Sequence, residues 1–131
     1  MTYKVLICGA RDYYDYYTQD EAEDFVKSCL LSLLDPPEKE DVVFITGMAR
    51  GADRVPVRML DEDREWGGLE RYYAEWDKYG KRAGPLRNIR MLEEGKPNMV
   101  IAFPTPTSKG TWHMVKIARE ADIPVHIYEV E

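Results

Sequence analysis

The sequence predicts an α/β fold in one domain, with helices on both faces of a parallel sheet of about five strands. Short apolar segments alternate along the chain with amphipathic helical segments, as they do in successive strand–helix–strand units. The apolar segments contain almost no polar residues, which is typical of strands that helices cover on both faces. Right-handed connections favour the strand order 3-2-1-4-5, so we expect a Rossmann-like, doubly wound domain.

In the N-terminal part, the first strand is predicted at residues 3–8, where the side chains are mostly apolar. Thr18 and Glu21 form a capping box at the start of the first helix. The prolines at 36 and 37 end this helix, because proline cannot continue it. Apolar residues at helical spacing predict its buried face: Ala22, Phe25, Val26, Cys29, Leu30, Leu33 and Leu34.

The second strand is predicted at residues 42–46, and the second helix runs from Ala52 to about Glu65, with Pro56 in its first turn. The sequence Trp66-Gly-Gly68 ends that helix, and residues 69–74 form a weaker third strand.

In the C-terminal half, residues 79–84 are predicted to be a loop and residues 85–94 a third helix, which begins at a proline. The fourth strand is predicted at residues 99–103, the fourth helix at 111–121 and the fifth strand at 125–128. We see no linker or repeat, so residues 1–131 are expected to form a single domain.

Composition limits the possible functions. Hydrophobic residues make up 44% of 131, enough for one core, and no apolar run approaches the roughly 20 residues of a membrane span. The first strand follows the N-terminus directly, which indicates no signal peptide and a cytoplasmic protein without a membrane partner. The net charge of −6 makes nucleic acid an unlikely partner. Cys8 and Cys29 are expected in the core, and two histidines without a Cys/His cluster indicate no metal.

Three predicted strands each end in a loop rich in small residues before a helix begins. These loops are Gly9-Ala-Arg-Asp12, Gly47-Met-Ala-Arg-Gly-Ala-Asp53 and the segment from Pro104 to Gly110 and Thr111. Such loops open at the carboxyl edge of a parallel sheet, where ligands bind. The unpaired amides and the positive end of a helix dipole favour an anion there. A plain strand–helix turn is the alternative for any one loop.

Two well-known nucleotide motifs are absent. Gly9-Ala-Arg-Asp12 lacks the three spaced glycines of the dinucleotide fingerprint, which argues against an ordinary NAD-dependent dehydrogenase, and no Walker A sequence is present. No cofactor is therefore indicated. Arg11 can reach an anion at the crevice or form a surface salt bridge. Arg50 can point into the crevice, whereas Asp53 is expected to cap the second helix rather than contact a ligand.

A basic segment precedes and enters the third helix. Lys78, Lys81, Arg82, Arg87 and Arg90 fall within thirteen residues that contain no acid. This run of basic residues favours a surface that faces phosphate over one that is only solvated. Positive side chains beside the positive end of a helix are repelled by it unless an anion is present.

Side chains in the first turn of that helix suit a nucleotide. Arg87 suits phosphate because its planar fork donates two parallel hydrogen bonds, and Asn88 can bond a ribose hydroxyl or a base edge. His113 is expected at the surface or as a cap, with no triad partner at suitable spacing, and Trp112 is expected to pack rather than stack a base.

The motifs stand together in an order that resembles one family. The residues are Val5 to Asp12, Gly47 to Asp53, Tyr79 to Asn88 with Arg90-Met-Leu92, and Pro104 to Thr111. The set resembles the YspA-like branch of the SLOG superfamily, which includes the LOG phosphoribohydrolases and the Rossmann-like domain of DprA. The resemblance implies a bacterial or phage protein with a nucleotide-derived ligand, and phosphate or ribose contacts at Gly9, Arg11, Gly47, Arg50, Arg87, Gly110 and Thr111.

One departure from that family bears on activity. The LOG enzymes carry a catalytic Glu where this chain has Met114, and the Gly-Gly pair of their motif is lost. We therefore expect a protein that binds a nucleotide, as a sensor or by sequestration, with a homodimer as one possible state. The alternative is an N-glycosidase or deoxyribosyltransferase type of enzyme that uses another acid, for which Glu75 and Asp77 are candidates. A DprA-like role in DNA binding is disfavoured by the acidic balance.

Overall fold

The computed structural model describes residues 2–11, 19–34, 38–49 and 51–129. Five parallel strands form one sheet in the order β3-β2-β1-β4-β5. The strands are β1 (Tyr3–Gly9), β2 (Val42–Thr46), β3 (Gly68–Arg71), β4 (Met99–Phe103) and β5 (Val125–Ile127). The predicted fold class and strand order are confirmed.

Helices cover both faces of the sheet. They are α1 (Gln19–Leu33), α2 (Val55–Glu62), α3 (Trp76–Tyr79), α4 (Ala83–Glu93) and α5 (Lys109–Glu120). Short 3₁₀ turns stand at Lys39–Asp41, Gly51–Arg54 and Gly80–Arg82. α1 and α2 pack on one face, whereas α4 and α5 pack on the other.

The strand residues divide between two cores by simple alternation. Val5 and Ile7 of β1 face the α1–α2 side, while Leu6 and Cys8 face the α4–α5 side. The three aliphatic side chains among them are fully buried, and each such burial contributes roughly 1.5–3 kcal/mol. The two-sided burial explains why the strands are nearly free of polar residues.

Two predicted boundaries were too long. The second helix ends at Glu62 rather than Glu65, because the chain becomes extended at Asp63, whose side chain pairs with Lys39 at 2.7 Å. The third strand ends at Arg71 rather than at residue 74. Arg71 is paired with Thr46, the last residue of β2, so the edge strand has no further partner.

The loop predicted at residues 79–84 is wrong. This stretch holds the end of α3, a 3₁₀ turn and the start of α4, which begins at Ala83 rather than Pro85. Gly84 lies in α4, where an added Cβ would stand 3.3 Å from the ring of Trp76. In sequence, a glycine that lets an aromatic ring pack closely against a helix cannot be distinguished from a glycine in a loop. α5 likewise begins at Lys109, two residues before the predicted start.

The capping box at Thr18 and the helix end at residues 35–37 lie outside the described residues. No helix in the described ranges combines the length and the apolar character needed to cross a bilayer.

Candidate functional site

A cavity of about 650 Å³ opens at the carboxyl edge of the sheet, between the loops that follow β1 and β4. This is the point at which the strand order reverses, where ligands bind in doubly wound sheets. The cavity is lined by residues 8–11, Ala49, Asp53, Trp76, Lys81, Gly84, Pro85, Arg87, Asn88, Met91, residues 107–111 and His113.

Asp53 holds the loops after β1 and β2 together. Its Oδ1 accepts the N–H of Gly9 at 2.8 Å, and the amides of Gly47 and Ala49 also bond to the carboxylate. The hydroxyl of Thr46, which is buried, donates to the backbone carbonyl of Asp53. The sequence-based interpretation of Asp53 as a helix cap is therefore wrong, because its side chain turns inward to satisfy three amides.

Burial sets the ionisation of this carboxyl group. Asp53 is only 3% exposed, and desolvation raises its pKa from 3.8 to about 7. The neighbouring Arg87 guanidinium and the three amides oppose the rise. Asp53 is thus partly protonated near neutral pH.

Two of the glycines predicted to contact phosphate or ribose already use their amides. The N–H groups of Gly9 and Gly47 both serve Asp53. Gly9 lies on the cavity wall. Packing excludes a side chain at this position, since a Cβ there would stand 2.6 Å from the Cβ of Ala52. At Gly47 a Cβ would fall 2.9 Å from the side chain of Arg87, so this glycine lets the arginine lie across the loop.

Arg87 projects from α4 into the centre of the site. Its Nη1 donates to the carbonyl of Gly47 at 2.9 Å, and its Nε lies 3.4 Å from Oδ1 of Asn88. Burial lowers its pKa, Asp53 raises it, and the nearby Arg11 lowers it further. Two guanidinium groups thus approach each other beside a single carboxyl group.

Other members of the basic segment take different positions. Lys81 lines the cavity, whereas Arg90 pairs with Glu94 at 3.3 Å and Lys78 lies over the ring of Tyr79. The Arg11 guanidinium lies 5.1 Å from the ring centre of Trp76, a cation–π contact that places both on the cavity wall. The predicted phosphate-facing run therefore reaches the cavity through Lys81 and Arg87.

The side chain of Asn88 links α4 to α5. Its side-chain nitrogen donates to the carbonyl of Gly110 at 3.1 Å and lies 3.1 Å from Nδ1 of His113. Because the carbonyl of Gly110 can only accept, the amide orientation is fixed, and Nδ1 of His113 must accept as well. The two amide hydrogens of Asn88 are used in these contacts, whereas its Oδ1 can still accept from a ribose hydroxyl or a base edge, the role predicted for this residue.

His113 consequently carries its proton on Nε2. Burial lowers the pKa of its imidazole, with a further contribution from Lys116. The ring lines the cavity as a neutral group. The expectation of a surface or capping histidine missed this position, because Asn88 lies 25 residues away in the sequence.

The N-terminus of α5 presents free donors to the cavity. Within the described part of the chain, the N–H groups of Gly110 and Thr111 have no hydrogen-bond acceptor, while those of Lys109 and Trp112 bond to preceding carbonyls. Gly110 has open space where a Cβ would stand. These amides and the helix dipole form the part of the site that suits an anion.

The loop before α5 is rigidly braced. The hydroxyl of Ser108 accepts the N–H of Thr105 at 2.9 Å and lies 2.8 Å from its carbonyl. The same carbonyl accepts the indole N–H of Trp112 at 3.1 Å. Trp112 therefore packs, as predicted, and also fixes the loop.

Four residues singled out from the sequence lie away from the cavity. Pro104 is buried and is not on the wall, and Met114 is fully buried in the apolar cluster under α4 and α5. Glu75 and Asp77 are exposed and also lie off the wall. A Glu at position 114 would be buried in that cluster, so restoring it is not expected to create activity. Arg50 lies outside the described residues.

The described residues bring no three His, Cys, Asp or Glu side chains together in the manner of metal ligands. The fold and the site define a parallel α/β domain with an anion-suited cavity at the carboxyl edge of its sheet. The chain is 40% identical over 87 residues to the Gene 61 protein of Mycobacterium phage D29, which covers 64% of this chain and 69% of that protein. It belongs to the same family as that phage protein. No family model and no solved structure matches the chain.

Proposed function

We propose that this protein binds a phosphorylated nucleoside at the carboxyl edge of its sheet, as a sensor or by sequestration. The observation that carries the proposal is the pair of free amides at Gly110 and Thr111, which open into a cavity that also holds cationic side chains. The resemblance of the motifs to the YspA-like branch of the SLOG superfamily supports the same class of ligand.

Charge supports an anionic ligand. Among the described lining residues, four carry a fixed positive charge, namely Arg11, Lys81, Arg87 and Lys109, and Asp53 is the one acid. The chain as a whole has a net charge of −6, so this concentration of cations is local. Clustered cations with one partly protonated carboxyl group are compensated best by a bound anion.

The remaining wall suits a nucleoside. Trp76, Pro85 and Met91 supply apolar surface, and Thr107 and Thr111 add hydroxyl-bearing side chains to the lining. A cavity of this volume is typical of small-molecule sites, which combine apolar walls with a few polar groups. The lining therefore offers polar groups for a phosphate and apolar surface for a ring.

The binding test uses calorimetry with AMP, ADP-ribose and cyclic nucleotides. At least one of them is expected to bind with a Kd below about 100 μM, equivalent to about −5.5 kcal/mol. Failure of all of these ligands to bind the purified protein would contradict the proposal.

Gly110→Ala tests the role of the α5 amides. The added methyl meets no atom within 4 Å, so the free energy of unfolding should stay equal or rise by up to about 1 kcal/mol. The same methyl stands where a phosphate would approach, so the Kd should rise at least about tenfold, or roughly 1.4 kcal/mol. Gly68→Ala is the matched control, because its methyl also meets only ordinary contacts and lies on the edge strand. Equal binding by both variants would show that the ligand does not use these amides.

One observation favours an enzyme as the second candidate. Asp53 lines the cavity with a pKa of about 7, a value that suits a general acid at neutral pH. Cleavage of an N-glycosidic bond develops positive charge on the sugar, which a nearby carboxylate stabilises. The three amide bonds to Asp53 favour the binding role instead, because they hold the carboxylate in place.

Chromatography after incubation with several nucleoside monophosphates separates the two candidates. The binding role predicts little or no free base from the wild-type protein. Turnover that Asp53→Asn abolishes while AMP binding persists would support the enzyme.

A further inference from the structure

A second cleft of about 330 Å³ adjoins the cavity on the side of β2 and β3. It shares Arg11, Ala49, Trp76 and Arg87 with the cavity, so the two spaces meet at these side chains. Residues 47–49 after β2, together with Arg54, and residues 73 and 74 after β3 complete its walls. The order of strands in the sheet explains the layout, since β2 and β3 end beside β1 at the same edge.

The cleft is strongly cationic. Arg11, Arg54 and Arg87 line it, and its described lining residues include no carboxylate. Arg54 is exposed, and its Nε lies 3.4 Å from the carbonyl of Met48. Met48 itself has a φ of 59°, a left-handed conformation that costs a non-glycine residue about 1 kcal/mol or more. The loop is held in this shape by the hydroxyl of Thr46, which accepts the N–H of Met48 at 3.2 Å.

Two large aromatic side chains stand exposed beside these arginines. Tyr73 is 60% exposed and Trp76 is 46% exposed, although both line the cleft. Exposed rings next to guanidinium groups suit a ligand that combines negative charge with a flat or apolar face. The first cavity already accounts for one phosphate and one ring, so the cleft has room for a further part of the same molecule.

We infer that the ligand is a diphosphate-bridged nucleotide whose second half occupies this cleft. The diphosphate passes Arg87 and Arg11, where the two spaces meet, and a second sugar, with or without its base, lies against Tyr73 and near Arg54. This inference rests on the proposed function, because the first half of the ligand occupies the cavity described above.

Calorimetry with AMP, ADP-ribose and diadenosine diphosphate tests the inference on the intact chain. The wild-type protein should bind one or both diphosphate-bridged ligands at least about tenfold more tightly than AMP. Arg54→Gln and Tyr73→Ala should each remove most of that preference while changing the Kd of AMP by less than about twofold. Arg64→Gln, an exposed arginine outside both spaces, is the control and should change neither. Comparing the Kd of ADP-ribose with that of diadenosine diphosphate shows whether the second half of the ligand includes a base.

The outcomes are distinct. Equal affinity for AMP and for both diphosphate-bridged ligands would overturn the binding role inferred for the second cleft and leave the first cavity as the nucleotide site. A preference that survives both Arg54→Gln and Tyr73→Ala would also overturn it. Absence of binding by all three ligands would overturn the proposed function itself, and this inference with it.

Discussion

Replacing Asp53 by alanine is expected to lower the free energy of unfolding by about 3 kcal/mol or more. The substitution leaves the amides of Gly9, Gly47 and Ala49 without their acceptor, and each buried unsatisfied amide costs about 1–3 kcal/mol. It also leaves Arg87 without its neighbouring carboxyl group. Urea unfolding followed by circular dichroism measures the loss.

Asp77→Ala is the control for this experiment. Asp77 is an exposed acid away from the cavity, so its loss should change the free energy of unfolding by less than about 0.5 kcal/mol. Similar stabilities for Asp53→Ala and Asp77→Ala would show that Asp53 does not hold the loops together.

The pH dependence of stability gives a second readout of the same residue. Because burial raises the pKa of Asp53 from 3.8 to about 7, the folded state keeps the proton over a range in which the unfolded state loses it. The contribution of Asp53 to stability is therefore present below about pH 4 and is lost as the pH rises towards 7. Asp53→Asn should lack this loss, so the stability of the wild type relative to Asp53→Asn should fall between those values. His113 has a lowered pKa and acts in the opposite direction, but it is common to both proteins.

Replacing Arg87 by alanine is expected to weaken AMP binding by about 1.5–3 kcal/mol, the range for hydrogen bonds to charged groups. The guanidinium lies between the cavity and the second cleft, and Gly47 leaves the space that it needs. Arg87→Lys should recover only part of the affinity, because lysine lacks the planar fork. Calorimetry measures both variants.

Arg82→Ala is the matched control for Arg87→Ala. Arg82 is exposed, belongs to the same basic segment and lies off the cavity wall. Its loss should leave AMP binding nearly unchanged. If Arg87→Ala binds AMP as well as Arg82→Ala does, then the guanidinium plays no part in recognition and serves only to hold the Gly47 loop.

Much of the fold follows from local patterns. The alternation in β1 sends Val5 and Ile7 to one core and Leu6 and Cys8 to the other, and this two-sided burial makes residues 5–8 apolar in sequence. Segment order and handedness then determine the sheet order. The wrong predictions lie where a tertiary contact accounts for the residue, as at Gly84, which lies inside α4 and packs closely against the ring of Trp76.

The site was harder to predict for the same reason. Glycine-rich loops predict a site at the carboxyl edge of the sheet, where the structure has a cavity, but the acceptor for the Gly9 amide is Asp53, 44 residues away. The preference for aspartate at helix N-termini predicts that this residue caps the second helix. Position 114 was aligned by motif with a catalytic glutamate, whereas the turn of α5 directs Met114 into the core. Motif spacing alone cannot show which side of a helix faces a cavity.

A crystal structure of the protein with AMP is the direct test of nucleotide binding at α5. A phosphate oxygen is expected within about 2.7–3.2 Å of the backbone nitrogens of Gly110 and Thr111, with the base towards Trp76 and Met91. AMP bound at the amino edge of the sheet, or at the carboxyl edge with its phosphate away from α5, would contradict binding at these amides.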